Sequence, residues 1–248
     1  MGIVRERLER EYDLSLVVTN PSVQYRVEAV GGETLEIDGP GNMPDRSQID
    51  SISEPWADLS IVTPTAYIGS LMEMVRQSRG EHGAIEYLDP TRVLLTFKVP
   101  LSELLVDFFD KMKSVSRGYA SMDYSVSEYR VADVVRIDIL VNGNLVDALS
   151  TVVDRSNAQK TGRDLALRLR KLIPRQMFQV SVQAAIDGKI VARETVPAVR
   201  KDVLAKCYGG DVTRKRKLLD RQREGKKRMK RLGNVEIPQE AFTAVLGK

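Results

Sequence analysis

The stretch Val93–Met112, VLLTFKVPLSELLVDFFDKM, changes its hydrophobic period halfway along. Large apolar residues recur at every second position from Val93 to Val99, which is typical of a strand with one buried face. From Leu101 to Met112 the apolar positions follow the i, i+3, i+4, i+7 and i+11 spacing of one helix face. The stretch therefore predicts a strand followed directly by an amphipathic helix.

The flanking sequence extends this pair into a longer pattern. A strand through residues 57–61, a helix from about residue 64 and a strand at 84–88 precede the stretch, and an extended segment at 119–131 follows it. The resulting order is β-α-β-β-α-β, the order of the split βαβ arrangement. We therefore expect an α+β chain in which residues 54–131 form a ferredoxin-like domain.

Residues 132–248 predict a second, smaller domain. The dipeptides Asn142-Gly143 and Asp187-Gly188 each separate two apolar runs, as in tight β-hairpins. A helical apolar pattern lies between them and ends before Pro174. We expect a hairpin-helix-hairpin domain, followed by a basic arm at 206–231 and a short terminal helix that begins near Pro238.

Residues 1–53 look like the back half of a domain. Val4, Leu8 and Tyr12 have helical spacing, and strand-like alternation follows at 14–18 and again at 23–27. Residues 39–55 contain three prolines and two glycines without periodicity. They are therefore interpreted as a linker.

Charge is concentrated in the arm. Residues 200–231 contain 14 Lys and Arg against 4 Asp and Glu, whereas the rest of the chain has a net charge of −6. Like charges at this density repel one another unless a polyanion neutralises them, and no aromatic residue lies within 213–231 for base stacking. The arm is therefore expected to contact a phosphate backbone, to be frayed or disordered alone, and to become ordered on binding. The predicted contact residues are Lys206, Arg214, Lys215, Arg216, Lys217, Arg221, Arg223, Lys226, Lys227, Arg228, Lys230 and Arg231.

The sequence offers little for catalysis. A single cysteine, Cys207, and a single histidine, His82, exclude structural zinc sites and intrachain disulfides. His82 is expected in a surface turn, and neither a P-loop nor a GxGxxG fingerprint is present. The chain is therefore predicted to contain no catalytic site, no metal site and no cofactor. No apolar run is long enough to cross a bilayer.

A further candidate lies after the second predicted helix. Residues 117–124, RGYASMDY, partly match the RNP1 pattern of RNA-recognition motifs, but they belong to the fourth strand rather than the third, and Ser121 replaces an aromatic. The alternative is a tight turn made possible by Gly118.

The segment AKCYGGDVTRKRKLLDRQREGKKRMKRLGNVEIPQEAF, residues 205–242, closely resembles the carboxy-terminal signature of the LepA (elongation factor 4) family of translational GTPases. The resemblance continues backward through DFFDKMKSVSRGYASMDY to RERLEREYDLSLVVTNPSVQY, and so covers essentially the whole chain. It implies a partial ferredoxin-like segment and linker at 1–53 similar to domain III of elongation factor G, a domain V-like fold at 54–131, and a family-specific domain at 132–248.

The resemblance also implies a function. Family members bind the bacterial ribosome between its subunits, are linked to back-translocation and ribosome assembly, and occur in the cytoplasm and at the inner face of the cell membrane. Contact with rRNA is implied for the turn Ser116-Arg117-Gly118, and contact with tRNA for the arm. GTP and Mg²⁺ belong to a family domain whose motifs this chain does not contain, so GTP hydrolysis is not carried over. We expect a monomer that binds ribosomal RNA and tRNA; the alternatives are a polybasic peripheral membrane module and, as the weakest, an enzyme.

Overall fold

The computed structural model describes residues 2–13, 21–199, 212–232, 235, 237–238 and 241–242. The described part of the chain contains two antiparallel sheets, six α-helices and four single-turn 3₁₀ helices. The helices are α1 (Gly2–Tyr12), α2 (Ile68–Gln77), α3 (Leu101–Leu105), α4 (Phe108–Val115), α5 (Arg155–Leu172) and α6 (Val212–Leu232). The strands are β1 (Tyr25–Ala29), β2 (Thr34–Ile37), β3 (Ile49–Pro64), β4 (Glu81–Tyr87), β5 (Arg92–Pro100), β6 (Ser121–Val131), β7 (Val134–Val141), β8 (Asn144–Leu145), β9 (Thr151–Asp154), β10 (Val180–Ile186) and β11 (Lys189–Val196).

The first sheet is organised around β3, which is 16 residues long. Its early part pairs with β1, its later part pairs with β5, and β6 runs along its other side. The interpretation of residues 39–55 as a linker is therefore wrong for residues 49–55, which are strand. The pattern was hidden because Glu54, a charged residue, occupies a fully buried position in this strand.

The block 49–131 follows the order β-α-β-β-α-β in the chain, and its strands lie in the order β6-β3-β5-β4. Alternate residues of β3 and β5 are buried beneath the helices, among them Leu59, Ile61 and Leu95. The single helix predicted over residues 101–112 is two helices, α3 and α4. They are separated at Asp107, whose φ of +53° lies in the left-handed region that Asp tolerates better than most residues.

The second sheet has β7 at its centre. β10 and then β11 lie on one side of it, and β8 and β9 pair with successive parts of its other edge. Asn142 and Gly143, between β7 and β8, both have positive φ, as do Asp187 and Gly188 between β10 and β11. Helix α5 covers one face of this sheet, and the buried side chains of both form one core that also contains Ala241.

The described segment before β3 is joined to the rest of the first sheet through β1. β1 pairs with both β2 and β3, so this segment extends the first sheet. Its buried residues Val23, Tyr25 and Val27 pack in a third cluster that includes Val134 from the start of β7. The helix predicted from Val4 to Tyr12 is present as α1, and the strand predicted at 14–18 lies outside the described residues.

Candidate nucleic-acid interface

The basic arm contains a continuous helix, α6. Its 21 residues include 11 Lys and Arg and only 2 acids, Asp220 and Glu224, over a length of about 32 Å at 1.5 Å per residue. The expectation that the arm alone is frayed or disordered is therefore wrong for residues 212–232. Lys, Arg, Leu, Gln and Glu favour helices, and each acid has basic residues three or four positions away, which offsets part of the repulsion. The helix also continues through Gly225.

Helix α6 has an open face and a covered face. Lys215, Leu218, Gln222 and Gly225 recur at spacings of three and four and are half-buried. The predicted contact residues Arg214, Arg216, Lys217, Arg221 and Arg223 are exposed. Within the described part of the chain, Arg216, Lys217, Arg221 and Arg223 form no ion pair. The helix therefore presents a ridge of cationic groups to solvent.

One arm residue ties the helix to the body. The Lys226 ammonium donates to the backbone oxygen of Val199, just beyond β11, at 3.0 Å. Of the other predicted contact residues, Lys206 lies outside the described residues. Lys227, Arg228, Lys230 and Arg231 have only their helical backbone described.

The second candidate, Ser116-Arg117-Gly118, closes helix α4. The Gly118 N–H donates to the Lys113 oxygen at 2.7 Å, and the Tyr119 N–H donates to the Ser116 oxygen at 3.0 Å. Arg117 and Gly118 have φ of +52° and +85°, so the chain reverses in a left-handed turn. This is a Schellman-type helix end with Arg at the position where Gly is usual.

The three residues of this turn have different environments. Ser116 is buried, and its hydroxyl donates to the Met112 oxygen at 2.7 Å and accepts from the Ala120 N–H at 3.1 Å. Its side chain therefore stabilises the turn and is not available to a partner. Arg117 is exposed and has no ion pair or side-chain hydrogen bond among the described residues. Of the three residues of this turn, Arg117 is the one whose side chain can reach a ligand.

The tripeptide Ser-Arg-Gly occurs a second time, at 78–80, and ends helix α2 in the same way. The Gly80 N–H donates to the Val75 oxygen at 2.9 Å, and Arg79 has a φ of +57°. Here glycine is required by space, because a Cβ on Gly80 would lie 2.3 Å from the Val75 Cγ1 atom. Sequence reasoning missed this site, although the repeated tripeptide was a signal for it.

Arg79, unlike Arg117, is fully engaged. Its Nη1 and Nη2 donate to the two carboxylate oxygens of Glu54 at 2.7 and 3.1 Å, and Glu54 is only 1% exposed. Its Nε donates to Glu103 at 3.1 Å, and Nη1 also reaches Asp154 at 3.4 Å. Burial lowers the pKa of Arg79, but the hydrogen bonds and charges of Glu54 and Glu103 outweigh it, so the net shift is upward.

The Arg79 network joins the two sheets. Asp154 is the N-cap of α5, where its carboxylate accepts the Ser156 N–H at 2.9 Å. Tyr25, from β1, lies in the same region, and burial together with the Glu54 charge raises the pKa of its phenol well above the usual value. A cleft of about 770 Å³ opens between these parts, lined by residues of the first segment, α3 and α5.

The prediction that His82 lies in a surface turn is wrong. His82 lies in β4 opposite Phe97 of β5, with ring centroids 5.6 Å apart. Cys207 is outside the described residues. Over the described ranges, no group of three or more His, Cys, Asp and Glu could hold a metal ion. In the same ranges, every helix is too short or too polar to span a membrane.

Two family profiles match adjoining parts of the chain. Residues 51–140 match the family described as elongation factor G C-terminus, and residues 141–247 match GTP-binding protein LepA C-terminus. Together they cover both sheets from β3 onward, including the Arg117 turn and α6.

Curated relatives match nearly the whole chain. Proteins named elongation factor 4 from Symbiobacterium thermophilum, Chlorobium phaeobacteroides and Acetivibrio thermocellus are 58%, 55% and 54% identical to it over 246 residues. Each match covers 99% of this chain and 41% of the relative's length. A solved structure from Thermus thermophilus shares 20% identity over 33% of this chain and 12% of its own, with a TM-score of 0.31.

Proposed function

The chain belongs to the LepA (elongation factor 4) family, matching its carboxy-terminal part, and on that premise we propose that it is a ribosome-contacting portion of a translation elongation factor. In this proposal the cationic ridge of α6 engages the sugar–phosphate backbone of rRNA and tRNA. These contacts with ribosomal RNA and tRNA are made during back-translocation or ribosome assembly. The protein acts as a monomer in the cytoplasm. GTP and Mg²⁺ would act in a part of the longer relatives outside the region matched here.

The observation that carries the proposal is the exposed positive charge of four residues of α6. Arg216, Lys217, Arg221 and Arg223 are exposed and form no ion pair with any other described residue. A helix with 11 basic residues attached to a body of opposite net charge attracts a polyanion to the helix and not to the body. Arginine, which supplies many of these residues, suits phosphate because its planar fork can donate two parallel hydrogen bonds.

The mode of contact follows from what α6 contains. It has no aromatic residue to stack on bases, and its large apolar residues are Leu218, Leu219, Met229 and the terminal Val212 and Leu232. Backbone contact of this kind positions a protein on RNA without reading sequence. The same composition gives little apolar surface for insertion into a bilayer.

The fold of residues 54–131 also supports membership of a ribosome-contacting factor. The order β6-β3-β5-β4, with helices on one face, is consistent with a ferredoxin-like fold for residues 54–131, which we include in the proposal. This block presents Arg117 on an exposed turn, so the chain offers two separate cationic contacts to RNA.

The test is the salt dependence of binding to tRNA and to purified ribosomes. Replacing Arg216, Lys217, Arg221 and Arg223 with Gln should reduce the slope of log K against log salt by about 3, since each phosphate contact contributes about 0.7 to 0.9. The matched control removes four other exposed charges, from α5 and the loop that follows it. These are Lys160, Arg163, Lys171 and Arg175.

A loss confined to the α6 variant supports the proposal. An equal loss in both variants would reduce the effect to net charge, and no loss in either would contradict phosphate contact by α6. Flotation with vesicles that contain anionic lipid, in competition with tRNA, distinguishes RNA from membrane. Retention on the vesicles despite excess tRNA would favour the peripheral membrane alternative.

A further inference from the structure

An exposed aromatic pair stands beside the Arg117 turn. The Tyr119 ring is stacked on Tyr67, with centroids 6.2 Å apart and ring planes at 17°. Tyr67 is half-buried and packs against the core of the 49–131 block, whereas Tyr119 is 68% exposed. One face of Tyr119 is therefore backed by a second ring that is anchored in the core, and most of the residue remains open to solvent.

Tyr119 is also held in place by the backbone. Its N–H donates to the Ser116 oxygen at 3.0 Å, and Ser116 is itself buried and bonded to both the helix and Ala120. A ring on a fixed backbone that is already stacked on a neighbouring ring loses less conformational entropy when a ligand stacks on it. Single exposed aromatics are common on protein surfaces, but a backed and anchored ring at a turn is not explained by packing alone.

Basic residues outnumber acids in the segment that leads to the ring. Residues 109–119 contain Lys111, Lys113 and Arg117 against one acid, Asp110. Arg117 occupies the left-handed conformation that is common at helix ends, and its N–H donates to the Ser114 oxygen at 3.3 Å. Its side chain has no ion pair or hydrogen bond among the described residues. The Arg117 guanidinium is therefore open to an anionic ligand. Arg79, in the same backbone conformation, has its partners inside the protein.

We propose that Tyr119, backed by Tyr67, is a stacking platform for an unpaired RNA base, and that Arg117 contacts the phosphate beside that base. The inference rests on the proposed function and adds a contact that α6 cannot make, since α6 has no aromatic residue. RNA is favoured over a protein partner because stacking on aromatic rings next to cationic groups is the usual mode by which unpaired bases are bound. The site selects an unpaired loop nucleotide rather than a duplex, because bases inside a helix are already stacked.

The experiment uses the full 248-residue chain and an RNA hairpin whose loop contains one 2-aminopurine. Stacking on Tyr119 should quench the fluorescence of this base. Tyr119→Leu should abolish the quench and weaken binding by about 5-fold or more, the lower end for one base stacked on an aromatic ring. Tyr119→Phe keeps the aromatic ring and should retain both the fluorescence quench and the binding affinity. The matched control is Tyr87→Leu, because Tyr87 is 66% exposed on β4 and has no ring partner in the described ranges.

The outcomes separate this inference from the proposed function. If Tyr119→Leu and Tyr87→Leu behave alike while binding remains salt-dependent, the stacking platform is refuted and phosphate contact by α6 stands. If the chain does not bind the hairpin at any salt concentration, both proposals fail. Far-ultraviolet circular dichroism on each variant shows whether the fold is intact, and Tyr119→Phe decides the question if Tyr119→Leu does not fold.

Discussion

Replacing Arg79 should destabilise the chain more than replacing any exposed arginine on the same block. Its guanidinium makes two bonds to Glu54, one to Glu103 and a longer one to Asp154. The substitution Arg79→Met keeps much of the side-chain volume and removes the charge. It leaves Glu54 in a site where only 1% of its surface is exposed.

The expected loss is about 3 to 5 kcal/mol, the cost of removing one partner from a buried ion pair. Arg79 itself retains 22% side-chain exposure, and Glu103 and Asp154 retain 33% and 19%, so water screens part of their interaction and we expect the lower half of this range. Since whole domains are stable by only about 5 to 15 kcal/mol, the change is large.

Urea unfolding followed by fluorescence measures this loss. The chain has one tryptophan, Trp56, two residues after Glu54 on β3, so its emission reports directly on the affected strand. The midpoint should fall in Arg79→Met and partly recover in the double variant Arg79→Met with Glu54→Gln, because no uncompensated charge then remains at the fully buried position 54. Arg76→Met, which removes an exposed pair with Glu73 on the same helix, is the control and should change little.

Two results would refute the reasoning. If Arg79→Met unfolds at the same urea concentration as the unmodified chain, Glu54 is not buried as an ion. If the double variant is no more stable than the single one, the loss comes from packing rather than from the charge left on Glu54.

Three further predictions concern single residues. Because burial raises the pKa of Tyr25, its stabilising contribution is present in full below about pH 10 and is lost as pH rises toward the folded pKa. Tyr25→Phe should therefore lose less free energy of unfolding than the unmodified chain when urea titrations at about pH 9 and about pH 11 are compared, and equal losses would contradict this. Arg117→Gly should raise the free energy of unfolding by about 1 kcal/mol, because glycine adopts positive φ without a steric penalty, and should weaken RNA binding. Arg79→Gly should lower the free energy of unfolding, because its ion pairs are lost. A less stable Arg117→Gly would contradict the backbone penalty assigned to Arg117. Gly225→Ala should stabilise α6 by up to about 1 kcal/mol, visible as increased ellipticity, because a Cβ there would meet no described residue within 4 Å. An unchanged spectrum would show that the helix is not limited by this glycine.

Hydrophobic periodicity predicted the elements whose burial is one-sided. The helical spacing from Leu101 to Met112 and the alternation through β5 were visible in the sequence, because the same residues face the core in the structure. The break at Asp107 was not visible, since it depends on one residue adopting a left-handed conformation between two helices that share an apolar face.

Charge was informative only where it remains exposed. The number of Lys and Arg residues in α6 could be counted from the sequence. The two Ser-Arg-Gly turns, in contrast, have the same sequence and differ only in the side chains around them. Arg79 is enclosed by three acids that come from distant positions in the chain, whereas Arg117 has none among the described residues. A buried Glu54 likewise cannot be recognised until its partner, 25 residues later, is known to fold back onto it.

The length of β3 bears on how shorter forms of this protein should be cut. Both the boundary expected at residue 53 and the start of the family profile at residue 51 fall inside this strand. A fragment starting at either point would lose β1 and the N-terminal part of β3, and would expose strand edges that pair with other chains. Expression from before β1 would keep the first sheet whole, so binding by the two cationic contacts should be compared in that form.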